Sequence, residues 1–162
     1  MIEIRPIQKQ EILEAKRVIF TVAFEIFKEA GTLEESIAKY SAQGKLSEMD
    51  DVQANYFGNG GAFLVTVQDG RIIGTGAIRY LEEGVCELKR LWLLTEYHGQ
   101  GLGFRMMQEL FRVSREKGYK IMRLETDRIV QARAVEFYER LGFHEIPRFG
   151  DDPDDMGMEL VL

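Results

Sequence analysis

The segment Leu91-Trp92-Leu93-Leu94-Thr95-Glu96-Tyr97-His98-Gly99-Gln100-Gly101-Leu102-Gly103 carries an apolar strand through a short loop into a helix. Glycines at 99, 101 and 103 let the backbone come close to a ligand and turn its N–H groups inward. Those groups stand at a helix amino terminus, where unsatisfied donors and the positive end of the helix dipole attract an anion. A pyrophosphate is a natural guest. The spacing argues against the commoner nucleotide loops: Met106 stands where the dinucleotide fingerprint needs its third glycine, and no Gly-Lys-Ser/Thr occurs. Taken alone, the glycines would serve equally well as a tight strand-to-helix connection.

Upstream of this segment the pattern is that of strands. Ala62 to Val67, the turn Gln68-Asp69-Gly70-Arg71 and Ile72 to Tyr80 predict a hairpin, and after Glu82-Glu83-Gly84 a third strand follows from Val85 to Leu94. These strands should form an antiparallel meander. Downstream, Met107, Leu110, Phe111 and Ser114 predict a helix over 101–117 that stops at Gly118, with a strand at Ile121 to Thr126 parallel to the one before the glycine turn. A last helix, Val130 to Leu141, is expected to bury Val130, Ala134, Phe137 and Leu141 and to end at Gly142. Phe143 to Ile146 and Met156 to Leu162 would close the sheet on either side of an acidic loop. Near the start, Ile2 to Ile7 suits an edge strand. Ile12, Ala15, Ile19, Val22 and Ile26 then predict a helix, its stripe widened by Phe20, Phe24 and Phe27, and Thr32 with Glu35 caps a second, shorter one. From Ser41 to Gly61 the pattern fades into polar, glycine-rich loop. The order of elements predicts an α/β fold: a mixed, mostly antiparallel central sheet of about seven strands with helices on both faces.

The bulk numbers narrow the function classes. With 162 residues, 45% of them hydrophobic and 30% charged, the composition is that of one globular domain, taken as residues 1–162. No apolar run approaches the roughly 20 residues of a membrane span, and the amino terminus lacks the order of a secretory signal, so a cytoplasmic location is expected. A net charge of −6 would repel a phosphate backbone, which argues against a nucleic-acid partner. A lone cysteine, Cys86, and isolated His98 and His144 supply neither a disulfide nor a metal site.

In this context the glycine turn resembles the signature of the GNAT superfamily of acyl-CoA-dependent N-acyltransferases, Arg/Gln-x-x-Gly-x-Gly/Ala, matched at Gly101 and Gly103 with His98 in the first position. Gln131-Ala132-Arg133-Ala134-Val135-Glu136-Phe137-Tyr138-Glu139-Arg140-Leu141-Gly142-Phe143 is similar to that family's Asn-x-x-Ala-x-x-x-Tyr-x-x-x-Gly-Phe helix, with Gln131 where Asn is usual. Ile4-Arg5-Pro6 looks like the family's opening strand, whereas 29–61 carries no likeness. The resemblance implies acetyl-CoA as cosubstrate, with no metal. Backbone amides of His98, Gly99, Gln100, Gly101, Leu102 and Gly103 would grip the coenzyme pyrophosphate. Leu91, Trp92 and Leu93 would pair with the pantetheine arm, and Gln131, Ala134 and Tyr138 would complete the coenzyme site.

The resemblance further implies N-acetyl transfer to a primary amine of a small molecule or peptide, by direct attack in a ternary complex. A strand bulge would free the Leu93 N–H for the developing oxyanion, and Tyr138 would protonate the departing thiolate. For the amine's proton, Glu87 and Glu125 are the candidates, each equally able to pair structurally with Lys89, Arg90 or Arg123. Nothing marks a base partner that would make Cys86 a nucleophile. Phe20, Phe24 and Phe27, and the acids Asp151, Asp152, Asp154 and Asp155, are candidates for the acceptor side. A homodimer is possible. The alternative readings are a non-catalytic acyl-CoA-binding or sensing domain and an interaction protein whose glycine loop is only a turn.

Overall fold

The computed structural model describes residues 1–162. Strand β1 (Ile2–Pro6) pairs antiparallel with β2 (Ala62–Gln68). Asp69 and Gly70 then take positive φ, 49° and 81°, which is the pair of left-handed residues that a tight hairpin turn matched to strand twist requires. That turn leads into β3 (Arg71–Glu82), and β4 (Val85–Leu93) completes the expected meander. β5 (Ile121–Asp127), β6 (His144–Ile146) and β7 (Asp155–Val161) follow, in the sheet order β1-β2-β3-β4-β5-β7-β6. This is the seven-stranded mixed sheet expected, with β4 and β5 as its parallel pair.

Helices cover both faces. On one, α1 (Ile12–Ile26) packs Ala15, Val18, Ile19 and Phe20 against Phe63, Val65 and Ile72, next to α2 (Leu33–Ala42). The predicted cap of α2 is present, with Thr32 Oγ1 accepting the Glu35 N–H at 3.1 Å. On the other face, α4 (Leu102–Glu116) and α5 (Ala132–Leu141) bury Met106, Met107, Leu110, Val135 and Tyr138 against Leu88, Met122, Leu124 and Met158.

Two expectations fail. Between Ser41 and Gly61 the chain is not plain loop: a 3-10 turn (Ser47–Asp51) and a short helix, α3 (Val52–Asn55), bury Leu46, Met49, Val52 and Tyr56, the last edge-on to Phe63 at 5.1 Å between centroids. The apolar residues do recur every three or four positions there, but glycines and acids between them hide the period. The last helix begins at Ala132, not Val130, which is 40% exposed, and its fully buried residues are Val135 and Tyr138; Ala134, Phe137 and Leu141 are only partly covered. Asp127 explains the late start, because its Oδ1 accepts both the Ile129 and Val130 N–H groups at 2.8 Å and holds them in a turn.

Candidate active site

β4 and β5 pair only from Val85 to Glu87 against Ile121 to Arg123 and then part. The parting coincides with a bulge. In the β3–β4 register Thr75 faces Trp92 and Ala77 faces Lys89, so Gly76 alone opposes both Arg90 and Leu91. Arg90 takes a left-handed φ of 55°, a conformation that costs a non-glycine residue about 1 kcal/mol or more. Neighbours hold it there. Arg90 Nε and Nη2 donate to the two Glu48 oxygens at 2.9 Å, Tyr56 Oη donates to Glu48 Oε2 at 2.9 Å, and the Arg90 carbonyl accepts Thr75 Oγ1 at 2.7 Å. Burial alone would raise Glu48, but the Arg90 guanidinium and the Tyr56 hydroxyl outweigh it and hold the carboxyl below the usual range.

Beyond the bulge, the Leu94 N–H donates to the Ile73 carbonyl at 2.9 Å. Strand alternation therefore turns the Leu93 N–H away from β3, toward the gap where β5 has left. That gap opens into a cleft of about 1050 Å³ lined by Leu91, Trp92, Leu93, His98, Gly99, Gly101, Leu102, Gly103, Gln131, Ala134 and Tyr138 among others. Of the residues expected at the coenzyme site, Gln100 alone is not part of this lining.

Gly99 and Gly101 have φ of 79° and 78°, with open space where a Cβ would stand, so backbone conformation and not crowding demands glycine. No N–H from Gly99 to Phe104 finds an acceptor in the protein; the first that does is Arg105, to the Gly101 carbonyl at 3.0 Å. A run of free donors thus stands at the start of a long helix, which is the arrangement that holds an anion. The side chains that depart from the family pattern are occupied within the protein. His98 Nε2 lies 2.8 Å from the Leu93 carbonyl, and Thr126 Oγ1 donates to Gln131 Oε1, leaving the Gln131 amide N–H groups free.

Tyr138 is 8% exposed and its hydroxyl makes no hydrogen bond within the protein, yet its oxygen is not sealed off. It therefore opens to the cleft that the ring lines. Burial pushes its ionisation well above that of a free tyrosine, so the phenol keeps its proton. Glu87, 4% exposed, lines the cleft and is paired with Arg79 at 2.8 Å, not with Lys89, Arg90 or Arg123. Glu125 pairs with none of these cations either; its Oε2 accepts the Phe149 and Gly150 N–H groups at 2.8 and 2.9 Å. Cys86 faces away, buried against Ser114, and its thiol is raised by burial.

On the acceptor side, α1 presents Val22, Glu25 and Ile26 rather than the phenylalanines, with Phe27 standing 46% exposed outside the cleft. Of the acidic loop only Asp155 reaches the cleft. Burial raises its carboxyl, the charges of Asp152, Glu125 and Asp127 raise it further, and Lys89 pulls it back. Lys89 itself is lowered by burial, with Glu87 acting against that and Arg79 with it. Sequence reasoning weighed Lys89 only as an ion-pair partner, not as a free charge in the cleft, and overlooked the Glu48–Arg90 clamp. Strand alternation could have found the first, since it puts Lys89 on the face of Glu87.

A run of free donors at a helix amino terminus and a split parallel strand pair thus open on one cleft. Residues 28–143 match the acetyltransferase (GNAT) family, and the chain belongs to it. The Escherichia coli K12 protein named uncharacterized N-acetyltransferase YjgM is 32% identical over 101 residues, 60% of each chain. The IAA acetyltransferase of Azospirillum brasilense is 32% identical over 104 residues, 62% of this chain and 67% of that protein. The chain thus spans about 60% of the first relative's length. In fold, a GNAT-family acetyltransferase from Staphylococcus aureus Mu50 superposes with a TM-score of 0.83 at 18% identity, covering 98% of both chains. A PaiA N-acetyltransferase from Thermoplasma acidophilum, solved with coenzyme A, gives 0.79 at 23% identity, covering 100% of this chain and 99% of that one. No helix is long and apolar enough to cross a membrane.

Proposed function

We propose that the chain transfers an acetyl group from acetyl-CoA to a primary amine of a small molecule or peptide, by direct attack while both are bound. The observation that carries this reading is the run of free N–H groups from Gly99 to Phe104, opening on the same cleft as the Tyr138 oxygen and the Leu93 N–H. Donors so placed would fix a pyrophosphate at the mouth of the cleft and direct the rest of the carrier along the gap between β4 and β5. The bound thioester supplies an activated acetyl group and a thiolate leaving group.

The chain's own residues meet the remaining needs. Leu93 N–H donates to the carbonyl oxygen as charge gathers on it. The neutral amine nitrogen forms the new C–N bond as C–S breaks, Tyr138, held neutral by burial, gives its proton to the sulfur, and the proton that the acylated nitrogen then sheds restores the phenol. An aliphatic ammonium must first lose a proton, since its pKa is about 10.4. Glu87 and Glu125 line the cleft and pass that proton to water. The deep placement of Cys86 behind the sheet favours direct transfer over an acyl-enzyme.

The test combines two measurements. Coenzyme A should raise the melting temperature, as any ligand of the native state does, and thiol should be released when acetyl-CoA and a panel of amines are mixed with the protein. A melting temperature indifferent to coenzyme A would overturn the cradle, and coenzyme binding without transfer to any amine would overturn the catalytic assignment.

A further inference from the structure

The acceptor side of the cleft carries charges that do not cancel within the protein. Arg79 pairs with Glu87, Arg90 with Glu48, and Arg123 with Glu82 and Glu159. Lys89 lies beyond ion-pair distance of every carboxylate, and Glu125 and Asp155 have no cation, although all three line the cleft.

The split sheet is the reason. β4 and β5 are in parallel register at Glu87 and Arg123, so two residues further along each strand Lys89 comes level with Glu125. Leu88 and Leu124 point into the core on the α4 and α5 side, which places Lys89 and Glu125 together on the opposite face. In a continuous sheet strands lie about 4.8 Å apart, and such neighbours would form an ion pair. Here the strands have already parted. The ammonium stands on one wall, and Glu125 with Asp155 from neighbouring β7 stands on the other. Unpaired charges in a partly desolvated cleft are costly, and a ligand bearing both charges in the opposite sense would relieve both walls at once.

Building on the acyl-transfer reading above, we propose that the acceptor is a zwitterionic amine, an amino acid whose carboxylate pairs with Lys89 and whose ammonium lies against Glu125 and Asp155. The two walls then act differently. Lys89 fixes which amines enter, while the acidic wall orients the nitrogen and takes up the charge of the proton it sheds.

Matched acceptors test this: glycine and β-alanine, each beside its amide and its decarboxylated amine, assayed by thiol release from acetyl-CoA. The free acids should exceed their amides by about tenfold or more in kcat/KM. Lys89→Met, which conserves the stem volume, should erase that preference by raising KM for the acids about tenfold or more relative to KM for the amides. Calorimetric titration of the acids into protein saturated with coenzyme A gives a second readout, and the variant should lose this binding while coenzyme A still raises its melting temperature as in the parent. Amides or simple amines used as well as the acids, or a Lys89→Met loss equal for both, would overturn the proposal while leaving acyl transfer intact. Failure of coenzyme A to shift the melting temperature of the parent protein would overturn the acyl-transfer reading and this proposal with it.

Discussion

Glu48→Gln should uncouple catalysis from coenzyme binding. The Glu48 carboxylate takes both guanidinium bonds of Arg90 and the Tyr56 hydroxyl, all at 2.9 Å. A glutamine keeps one acceptor oxygen and turns an NH2 toward one of these donors, so at least one bond becomes a donor facing a donor. The two side chains are 26% and 30% exposed, between a surface pair worth under about 1 kcal/mol and a buried pair whose breakage costs about 3–5. A loss of about 2 kcal/mol follows, which for a chain of this size lowers the melting temperature by about 4–8 °C. The larger effect is on the strand. Without the clamp only the Thr75 hydroxyl on the Arg90 carbonyl still holds the strained residue, so the bulge relaxes and the Leu93 N–H loses its aim. An oxyanion donor is worth about 3 kcal/mol, so kcat should fall by about 100-fold when it is misplaced. Coenzyme A affinity should fall far less than kcat, because the donor run starts at Gly99, beyond the bulge, and only the contacts of Leu91 to Leu93 move. Adding Arg90→Gly to Glu48→Gln should recover part of kcat and not all of it, since glycine adopts the left-handed conformation unaided but does not fix the direction of the strand. A Glu48→Gln protein with the lowered melting temperature but kcat within about twofold of the parent would refute the reasoning.

Other perturbations separate the remaining parts. Tyr138→Phe should lower kcat by about 10- to 100-fold without moving KM for acetyl-CoA, a partial loss because a thiol of pKa about 8.5 leaves tolerably without help. Turnover equal to the parent's at every pH in that variant would remove the tyrosine from the mechanism. Gly101→Ala should weaken coenzyme A binding by about tenfold and lower the melting temperature by about 2–4 °C, through the left-handed φ alone. Stability should depend on pH at both ends. Glu48 is held below its unfolded value, so its contribution is present above about pH 4.5 and is lost as the pH falls through the folded value. Tyr56 and Tyr138 are raised by burial, so theirs is complete below about pH 10 and is lost above it, where only the unfolded chain ionises. Denaturant melts across pH should show the acid limb flattened in Glu48→Gln and the alkaline limb flattened in Tyr138→Phe.

The parts of this site that sequence displays are those in which residue type and backbone conformation are tied together. Positive φ at Gly99, Gly101 and Gly142 and the Asp69-Gly70 turn all follow from the scarcity of side chains that tolerate such angles. Alternation and helical spacing fixed the strands and the two helices on the coenzyme side for the same local reason. The bulge is different. Arginine gives no hint of a left-handed conformation, and the carboxylate that holds it there is 42 residues away, in a segment whose apolar period is broken by glycines and acids. Likewise the partner of Glu87 is Arg79 across a hairpin, and that of Glu125 is backbone of the 149–150 turn, pairings set by register and by loop closure rather than by adjacency in the chain.

The bulge, the parted strands and the unpaired charges are consequences of one local choice. Placing Arg90 and Leu91 opposite Gly76 turns β4 out of step with β3 at the point where its pairing with β5 ends. Once β5 has left, the Leu93 N–H has no carbonyl to meet, and Lys89 has no Glu125 within reach. Both are deficits in the isolated fold, an unmet donor and an unmet charge, and both become binding determinants when a ligand fills the gap. This accounts for a costly arginine at a position where glycine would adopt the angle freely. Glycine would keep the turn but leave it hinged, whereas the guanidinium, gripped by Glu48 and Tyr56, fixes the direction in which the split strand points its amides. On the acyl-transfer reading, precision at the reacting carbonyl is therefore supplied from 46–56, a segment outside the glycine turn and the 131–143 helix that carry the resemblance.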